Sequence, residues 1–362
     1  MTTIATPFSK KLDLRLPLIQ APMAGGPSSQ ELVAAASAAG ALGSFGFAYT
    51  QPNAMKQQAE WVRGKTSRPF GINLFVSPQL DPIPAAQQSK ALDAVSTFYR
   101  ELGLPAPEPV KAPYAPDLEA QLQAVEDIRP AVFTVHLGGL APDQVKRFRS
   151  KGILVGGSAN CVAEAKSLES AGFDFVIAQG GEAGGHRGSY LRDPYQSLTG
   201  TLALTRLIVQ AVRVPVVAAG GIMDGAGIAA VLALGAQAAQ LGTAFLPCAE
   251  SGASQVHKDL LVRLTEDETA ITEKFSGKPA RGIVNRFMRE MADAPHLTFP
   301  AQNGLTRNLR AASDKAGKPD FVALWAGQAA PLSRALPAAQ LVDQLEQELI
   351  QSLRSSASLL KE

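Results

Sequence analysis

Short apolar runs recur along the chain, and most are separated by segments with a helical pattern. Three of these segments, 31–40, 161–172 and 225–236, are rich in alanine, lack proline and end at or beside glycine, as expected of helices packed on a sheet. Alternating strands and helices predict a parallel sheet. The predicted strands are residues 16–21, 41–45, 70–76, 131–137, 153–156, 173–178, 214–219 and 238–245.

Eight such units finish near residue 246, which matches the length of about 250 residues of a (β/α)8 barrel. An open doubly wound sheet is the competing arrangement, and the length favours the barrel. We therefore predict an α/β fold with a TIM barrel over residues 1–250. A small second domain or lid over 251–304 and a C-terminal helical return over 305–362, packed on the barrel, are expected to follow. The proline-rich gap 77–130 is predicted to be a helical excursion near the barrel mouth.

Composition narrows the class of partner. The chain is 46% hydrophobic and 18% charged with a net charge of +2, and its basic residues are scattered. Nothing favours nucleic acid or an acidic membrane, so small molecules are the expected partners of a monomer or homodimer.

Cys161 and Cys248 have no metal-type spacing, and neither a disulfide nor a metal site is expected. No apolar run reaches the roughly 20 residues of a membrane span, and with no secretory signal recognised we expect a cytoplasmic protein.

One glycine-dense segment, residues 178–188, follows a predicted strand directly and contains His186. Glycines tolerate positive φ and allow backbone to approach a flat or charged ligand, while the imidazole offers a base beside it. The alternative is a flexible turn with a solvated histidine. Because α/β barrels place their chemistry at the carboxyl ends of strands, we favour a ligand cradle.

Two further motifs occupy the strand ends where barrels often hold phosphate. Residues 219–222 (AGGI) end the seventh run and residues 240–243 (QLGT) lie in the eighth. Both offer unhindered backbone N–H groups, and the second adds a hydroxyl. Tight strand-to-helix turns are the structural alternative. The loose dinucleotide-type match at 225–230 lacks its acidic partner and is discounted; Asp224 is interpreted as a helix N-cap.

With these motifs in order, the chain resembles the class I nitronate monooxygenases. The matching segments are QAPMAGG from Gln20, GINLF from Gly71, the glycine-dense segment 178–188 (hereafter the histidine loop), AAGGI, QLGTAFL and LWAGQ. The resemblance implies an FMN-containing barrel that oxidises alkyl nitronates, such as propionate 3-nitronate, or nitroalkanes with dioxygen to a carbonyl compound and nitrite. A reduced nicotinamide is not expected to be needed.

The resemblance also implies residue roles. FMN is expected to contact the backbone at Pro22 and Met23, then Asn73, Gln179, Gly180 and Gly184, with its phosphate held by Gly220, Gly221, Gln240, Leu241, Gly242 and Thr243. His186 matches the active-site histidine of the family, positioning the nitronate and handling a proton if a neutral nitroalkane is taken.

Substrate contacts are expected from His136, Tyr114 and His257. His136 could equally be a hydrogen-bonded structural histidine. Glu182 is interpreted as a backbone cap rather than an acid or base. Relatives commonly have tyrosine where this chain has Phe299, and with Arg307 nearby the size and charge of the substrate stay open.

Three other functions share these motifs. An FMN-dependent enoyl reductase acting on acyl carrier protein would need NADPH and a long acyl channel. A quinone reductase would use NADH or NADPH. A flavin-binding barrel without turnover is a third alternative, against which the intact histidine loop argues.

Overall fold

The computed structural model describes residues 4–76 and 80–360. The first three residues of the predicted barrel, the first three of the 77–130 excursion and the last two of the C-terminal return lie outside the described residues. The strands are β1 Leu18–Gln20, β2 Gly43–Gly46, β3 Phe70–Phe75, β4 Val132–His136, β5 Leu154–Ala159, β6 Phe175–Gln179, β7 Gly185–His186, β8 Val216–Ala219, β9 Ala238–Leu241, β10 Thr269–Thr272 and β11 Ala280–Ile283.

The helices alternate with the strands through the first two thirds of the chain. They are α1 Pro7–Lys11, α2 Gln30–Ala38, α3 Pro52–Arg63, α4 Ala85–Glu101, α5 Leu118–Ile128, α6 Pro142–Arg149, α7 Val162–Ser170, α8 Thr201–Ala211, α9 Gly225–Ala233, α10 Gln255–Leu261, α11 Arg286–Glu290, α12 Ala301–Leu305, α13 Arg307–Lys315 and α14 Ala338–Ala357. None of the described helices is long and apolar enough to cross a bilayer.

The main sheet is a barrel of parallel strands in the order β1-β9-β8-β6-β5-β4-β3-β2. The two ends of this order meet at a parallel bridge between Ile19 and Leu42, where the Leu42 amide donates to Leu18 across 2.9 Å. The predicted (β/α)8 barrel is thereby confirmed, and each predicted run overlaps one barrel strand. The last run ends at Leu241 rather than at residue 245, because a 3-10 helix, Thr243–Phe245, begins beyond Gly242.

A second, antiparallel sheet lies at the carboxyl end of the barrel. Its order is β10-β11-β7, and its strand β7 belongs to the histidine loop that follows β6. In its register Ala280 faces His186 and Arg281 faces Gly185. The chain beyond the barrel therefore returns to the loop that carries His186 and fixes it by strand pairing.

An aromatic cluster joins α4 to this returning segment. Phe98 lies 5.4 Å from Phe287 and 5.2 Å from Phe321, measured between ring centroids. Helix α14 instead packs on α9 and α2. Its residues Leu341 and Leu345 are buried in the core that contains strands β1 and β9, which accounts for the leucine spacing of this helix.

Candidate active site

A cavity of about 570 Å³ opens among the carboxyl ends of the barrel strands. It brings together residues that are distant in sequence but were expected to share a site. The expected residues that line it are Pro22, Met23, Asn73, His136, Gln179, Gly184, His186, Gly220, Gly221, Gln240, Gly242, Thr243 and His257.

Three expected residues do not line the cavity. The hydroxyl of Tyr114 accepts a hydrogen bond from the Ile83 amide at 3.2 Å, which ties it to the α4 segment. Leu241 is 1% exposed and packs in the barrel core. Gly180 packs against Thr201 on α8, where a Cβ would lie 1.9 Å from the Thr201 hydroxyl oxygen.

The imidazole of His186 stands among aromatic rings. The centroids of Phe75, Phe299 and Trp325 lie 5.5, 5.6 and 5.7 Å from its own. Its Nε2 is 2.9 Å from Ser276 Oγ. Burial, together with the nearby His136, Lys278 and Arg310, lowers the pKa of His186 to about 3. The ring is therefore neutral at physiological pH.

His136 reaches the same loop from the end of β4. Its Nε2 lies 3.0 Å from the His186 carbonyl oxygen, to which the Gln179 amide also donates at 3.1 Å. Burial lowers the pKa of His136 to about 4. His136 both lines the cavity and bonds to backbone, so the two roles considered for it are compatible.

The histidine loop is held rigidly rather than free to turn. Gln179 Oε1 accepts from Asn160 at 2.9 Å and from the Gly188 amide at 3.0 Å. The guanidinium of Arg187 is completely buried and donates to the carbonyls of Gln179, Gly180 and Ser197. These bonds argue against the alternative of a flexible turn for this loop.

The expected phosphate cradle has unpaired donors. The backbone amides of Gly220, Gly221 and Ile222 have no hydrogen-bond partner among the described residues. Gly220 and Gly221 adopt φ values of 113° and 69°, which L side chains rarely adopt. Thr243 Oγ1 accepts from the Gly327 amide at 3.0 Å, which leaves its hydrogen free to donate.

Glu182 lies beside this cradle and caps a helix, as the sequence suggested. Its carboxylate accepts from the Thr201 amide, at the start of α8, at 2.8 and 2.9 Å. The Thr201 hydroxyl donates to the same carboxylate at 2.8 Å. The negative charge of Glu182 therefore stabilises the N-terminus of α8 and is not directed at a substrate.

Sequence reasoning named Arg307 but missed Arg310, which lies beside it at a cationic corner of the cavity. Arg310 donates to the Asn303 carbonyl and to its side-chain oxygen, both at 2.8 Å. Arg307 also lines the cavity, whose lining contains no aspartate or glutamate. The hydroxyl of Tyr49 is buried without a hydrogen-bond partner among the described residues, and burial raises its pKa against the opposing effect of the two arginines.

His257, on α10, lines the same cavity. It is 5% exposed, and its Nε2 has no hydrogen-bond partner among the described residues. Burial alone lowers its pKa to about 4. The described residues contain no group of three or more metal-ligating side chains that could hold a metal ion. The site is therefore an apolar, partly cationic cavity with three neutral imidazoles.

Comparison with known proteins gives one consistent family. A family profile described as nitronate monooxygenase matches residues 6–348. The chain is 40% identical to a nitronate monooxygenase of Paraburkholderia phytofirmans over 347 residues, covering 94% of each protein. It is 41% identical to that of Pseudomonas aeruginosa over 349 residues, covering 94% of this chain and 98% of the relative.

Solved structures agree with the sequence comparison. A nitroalkane oxidase from Streptomyces ansochromogenes superposes with a TM-score of 0.89 at 39% identity, covering 96% of this chain and 99% of that one. FabK from Thermotoga maritima gives a TM-score of 0.74 at 25% identity, covering 99% of this chain and all of the other.

Proposed function

The chain belongs to the nitronate monooxygenase family, and from this premise we propose that it oxidises alkyl nitronates with dioxygen to a carbonyl compound and nitrite, using FMN. It is an oxidoreductase, as its relatives are. The observation that carries the proposal is the neutral imidazole of His186, set in the same cavity as an unpaired anion cradle.

The residues present fit FMN. Met23, Ile177 and Ala219 provide apolar surface for a flat ring system, and the unpaired amides of Gly220 and Gly221 provide donors for a phosphate. When bound, FMN would accept electrons from the substrate, chemistry that side chains cannot supply. The protein contributes binding, orientation and exclusion of water.

His186 has two uses in this reaction. A neutral imidazole is able to take the α-proton of a nitroalkane, and as a polar group in an apolar pocket it orients a nitronate that is already deprotonated. Lys278 and Arg310 both lower the pKa of His186 through their positive charges. The same charges favour an anion at this position.

One corner of the cavity supports a narrower class of substrate than alkyl nitronates in general. It is formed by Arg307, Arg310 and Tyr49. Two cations without a carboxylate partner in the cavity lining, beside an unpaired hydroxyl, suit a second anionic group on the substrate. We infer that a nitronate bearing a carboxylate, such as propionate 3-nitronate, is preferred over a simple alkyl nitronate. The phenyl ring of Phe299 contributes only apolar contact to His186.

The enoyl or quinone reductase considered from the sequence is the competing function. Both are tested with one preparation of the purified protein. Flavin absorbance at one FMN per chain, with nitrite released from propionate 3-nitronate in air without NADPH, is the expected result. Bleaching of the flavin absorbance by NADPH without oxygen, with no nitrite release, would favour a reductase. Activity with NADH and a quinone as acceptor would then distinguish a quinone reductase from an enoyl reductase. A colourless protein that cannot be reconstituted with FMN would refute the cofactor assignment.

A further inference from the structure

The hydroxyl of Ser276 has three hydrogen-bonding neighbours. Its Oγ lies 2.9 Å from His186 Nε2, 3.1 Å from the Lys278 carbonyl oxygen and 3.3 Å from the Lys278 amide nitrogen. Ser276 is 1% exposed, so water does not substitute for these partners. Since a hydroxyl has one hydrogen to donate, the directions of the three bonds are linked.

Only one set of directions satisfies all the groups. The Lys278 carbonyl can only accept, and it has no other hydrogen-bond partner among the described residues. The Ser276 hydrogen therefore points to that carbonyl, while the Lys278 amide donates to Ser276 Oγ. Nε2 of His186 must then carry a hydrogen and donate it to Oγ. The reverse arrangement would leave the Lys278 carbonyl without a hydrogen-bond partner among the described residues.

The turn that presents Ser276 is immobilised from the neighbouring segment. Gln302 donates to the Lys274 carbonyl at 2.7 Å, and the Thr306 hydroxyl donates to that of Phe275 at 2.6 Å. Gly277 has a φ of 85°, and a Cβ there would lie 2.4 Å from the Phe299 nitrogen. The position of the hydroxyl is therefore fixed before any ligand binds.

We propose that Ser276 is a positioning residue that holds His186 in the tautomer with hydrogen on Nε2, so that Nδ1 is the atom that takes the α-proton of a neutral nitroalkane. The one hydrogen bond of the His186 ring among the described residues involves Nε2 and leaves Nδ1 without a partner there. In this step the Cα–H bond breaks, its electron pair forms the C=N bond of the nitronate, the N=O π pair moves onto oxygen, and the proton bonds to Nδ1. The imidazolium so formed still donates from Nε2 to Ser276 Oγ, and the Ser276 hydroxyl still donates to the Lys278 carbonyl.

The kinetic test separates this role from general structural support, and it rests on the proposed function. Ser276→Ala should lower kcat/KM for neutral nitroethane about 10- to 100-fold, below the loss of a whole acid–base group. The loss with the preformed ethylnitronate should be at least tenfold smaller. Ser189→Ala is the matched control, because Ser189 is a buried serine whose hydroxyl has no described partner. Equal losses with both substrate forms at unchanged FMN content would overturn the proposal.

A second measurement needs neither the Ser276 variant nor turnover. In protein labelled with ¹⁵N-histidine, the resonances missing from His186→Asn identify His186. The expected spectrum of the wild type has hydrogen on Nε2 and a bare Nδ1 from pH 8 to pH 5, because the pKa of His186 lies far below this range. Hydrogen on Nδ1 would overturn the proposal. If neither nitroethane nor ethylnitronate is oxidised, the proposed function fails, while the tautomer measurement still decides the role of Ser276.

Discussion

Nε2 of His136 donates a hydrogen bond to the backbone carbonyl of His186 across 3.0 Å. A carbonyl oxygen only accepts, so the hydrogen of the neutral His136 ring is on Nε2. Gln179 donates to the same carbonyl at 3.1 Å. His136 thus holds the backbone of the histidine loop whether or not it also contacts substrate.

Exchanging His136 for two amides should separate these roles. The His136→Gln side chain is able to place an amide N–H near the position of Nε2, whereas His136→Asn is too short. We expect both variants to fold and to retain FMN, with His136→Asn about 1 kcal/mol less stable because one buried hydrogen bond is lost. Urea unfolding and KM for a nitronate measure the two effects. A raised KM in both variants indicates substrate contact, whereas failure of both to fold would show a purely structural histidine.

The strand ends and glycine motifs could be predicted from the sequence because their signals are local. A run of apolar residues followed by Gly220 and Gly221 predicts a strand and a turn within a few positions, and barrel geometry then gathers all such turns at one end. The same reasoning located His186. It could not locate the bonds of Gln179, whose amide oxygen is used by Asn160 and Gly188.

A side chain at Gly242 should displace the cofactor without straining the backbone. Gly242 has a φ of −104°, and an added Cβ would contact only Ala21 and Met23, both in the cavity wall. We expect Gly242→Val to fold normally but to lose FMN on dialysis. The matched control, Gly64→Val, lies outside the cavity lining at a φ of −70°. Wild-type FMN retention by Gly242→Val would show that the phosphate lies elsewhere.

Removing the hydroxyl of Tyr49 should have opposite effects on stability and on substrate binding. The hydroxyl is buried and unpaired, so we expect Tyr49→Phe to unfold at an equal or higher temperature than the wild type. If this hydroxyl binds the carboxylate of a substrate, KM for propionate 3-nitronate should rise about tenfold, the cost of about one hydrogen bond to a charged group. KM for ethylnitronate is the internal control. Equal changes in both KM values would contradict a carboxylate subsite.

Sequence reasoning did not identify Tyr49, Arg310 or Ser276 as site residues, because their positions in the site depend on tertiary packing. Ser276 acts on His186, which is 90 positions away in the sequence, and Tyr49 lies near Arg307 and Arg310 only in the folded chain. Arg310 lies on α13, three residues after Arg307, and only the packing of that segment places both near the barrel. Such contacts depend on the tertiary arrangement of the returning segment, which the hydrophobic pattern of each single element does not reveal.

The buried histidines should make the protein sensitive to acid. Burial lowers the folded-state pKa of His257 to about 4 from the ordinary histidine value of 6.5. Below pH 6.5 the unfolded chain binds a proton that the folded chain does not, so stability present above that pH is lost as the pH falls towards 4. Each such histidine contributes a slope of at most about 1.4 kcal/mol per pH unit. Unfolding the FMN-free protein in urea at pH 7, 6, 5 and 4 should show a shallower slope for His257→Leu. Parallel curves for the two proteins would show that His257 titrates normally when folded.

His186 should matter more for one form of a substrate than for the other. A neutral nitroalkane must lose its α-proton, whereas a nitronate has already lost it and needs only orientation and charge stabilisation. We expect His186→Asn to lower kcat/KM for nitroethane about 10²- to 10⁴-fold, the range of one positioned proton-transfer group, with a clearly smaller loss for ethylnitronate. FMN content is measured alongside, because the imidazole lines the same cavity as the expected cofactor contacts. Equal large losses would assign His186 to electrostatic positioning alone, since the proton-transfer step is absent with the nitronate. Unchanged rates for both forms in a fully loaded variant would remove His186 from the reaction altogether.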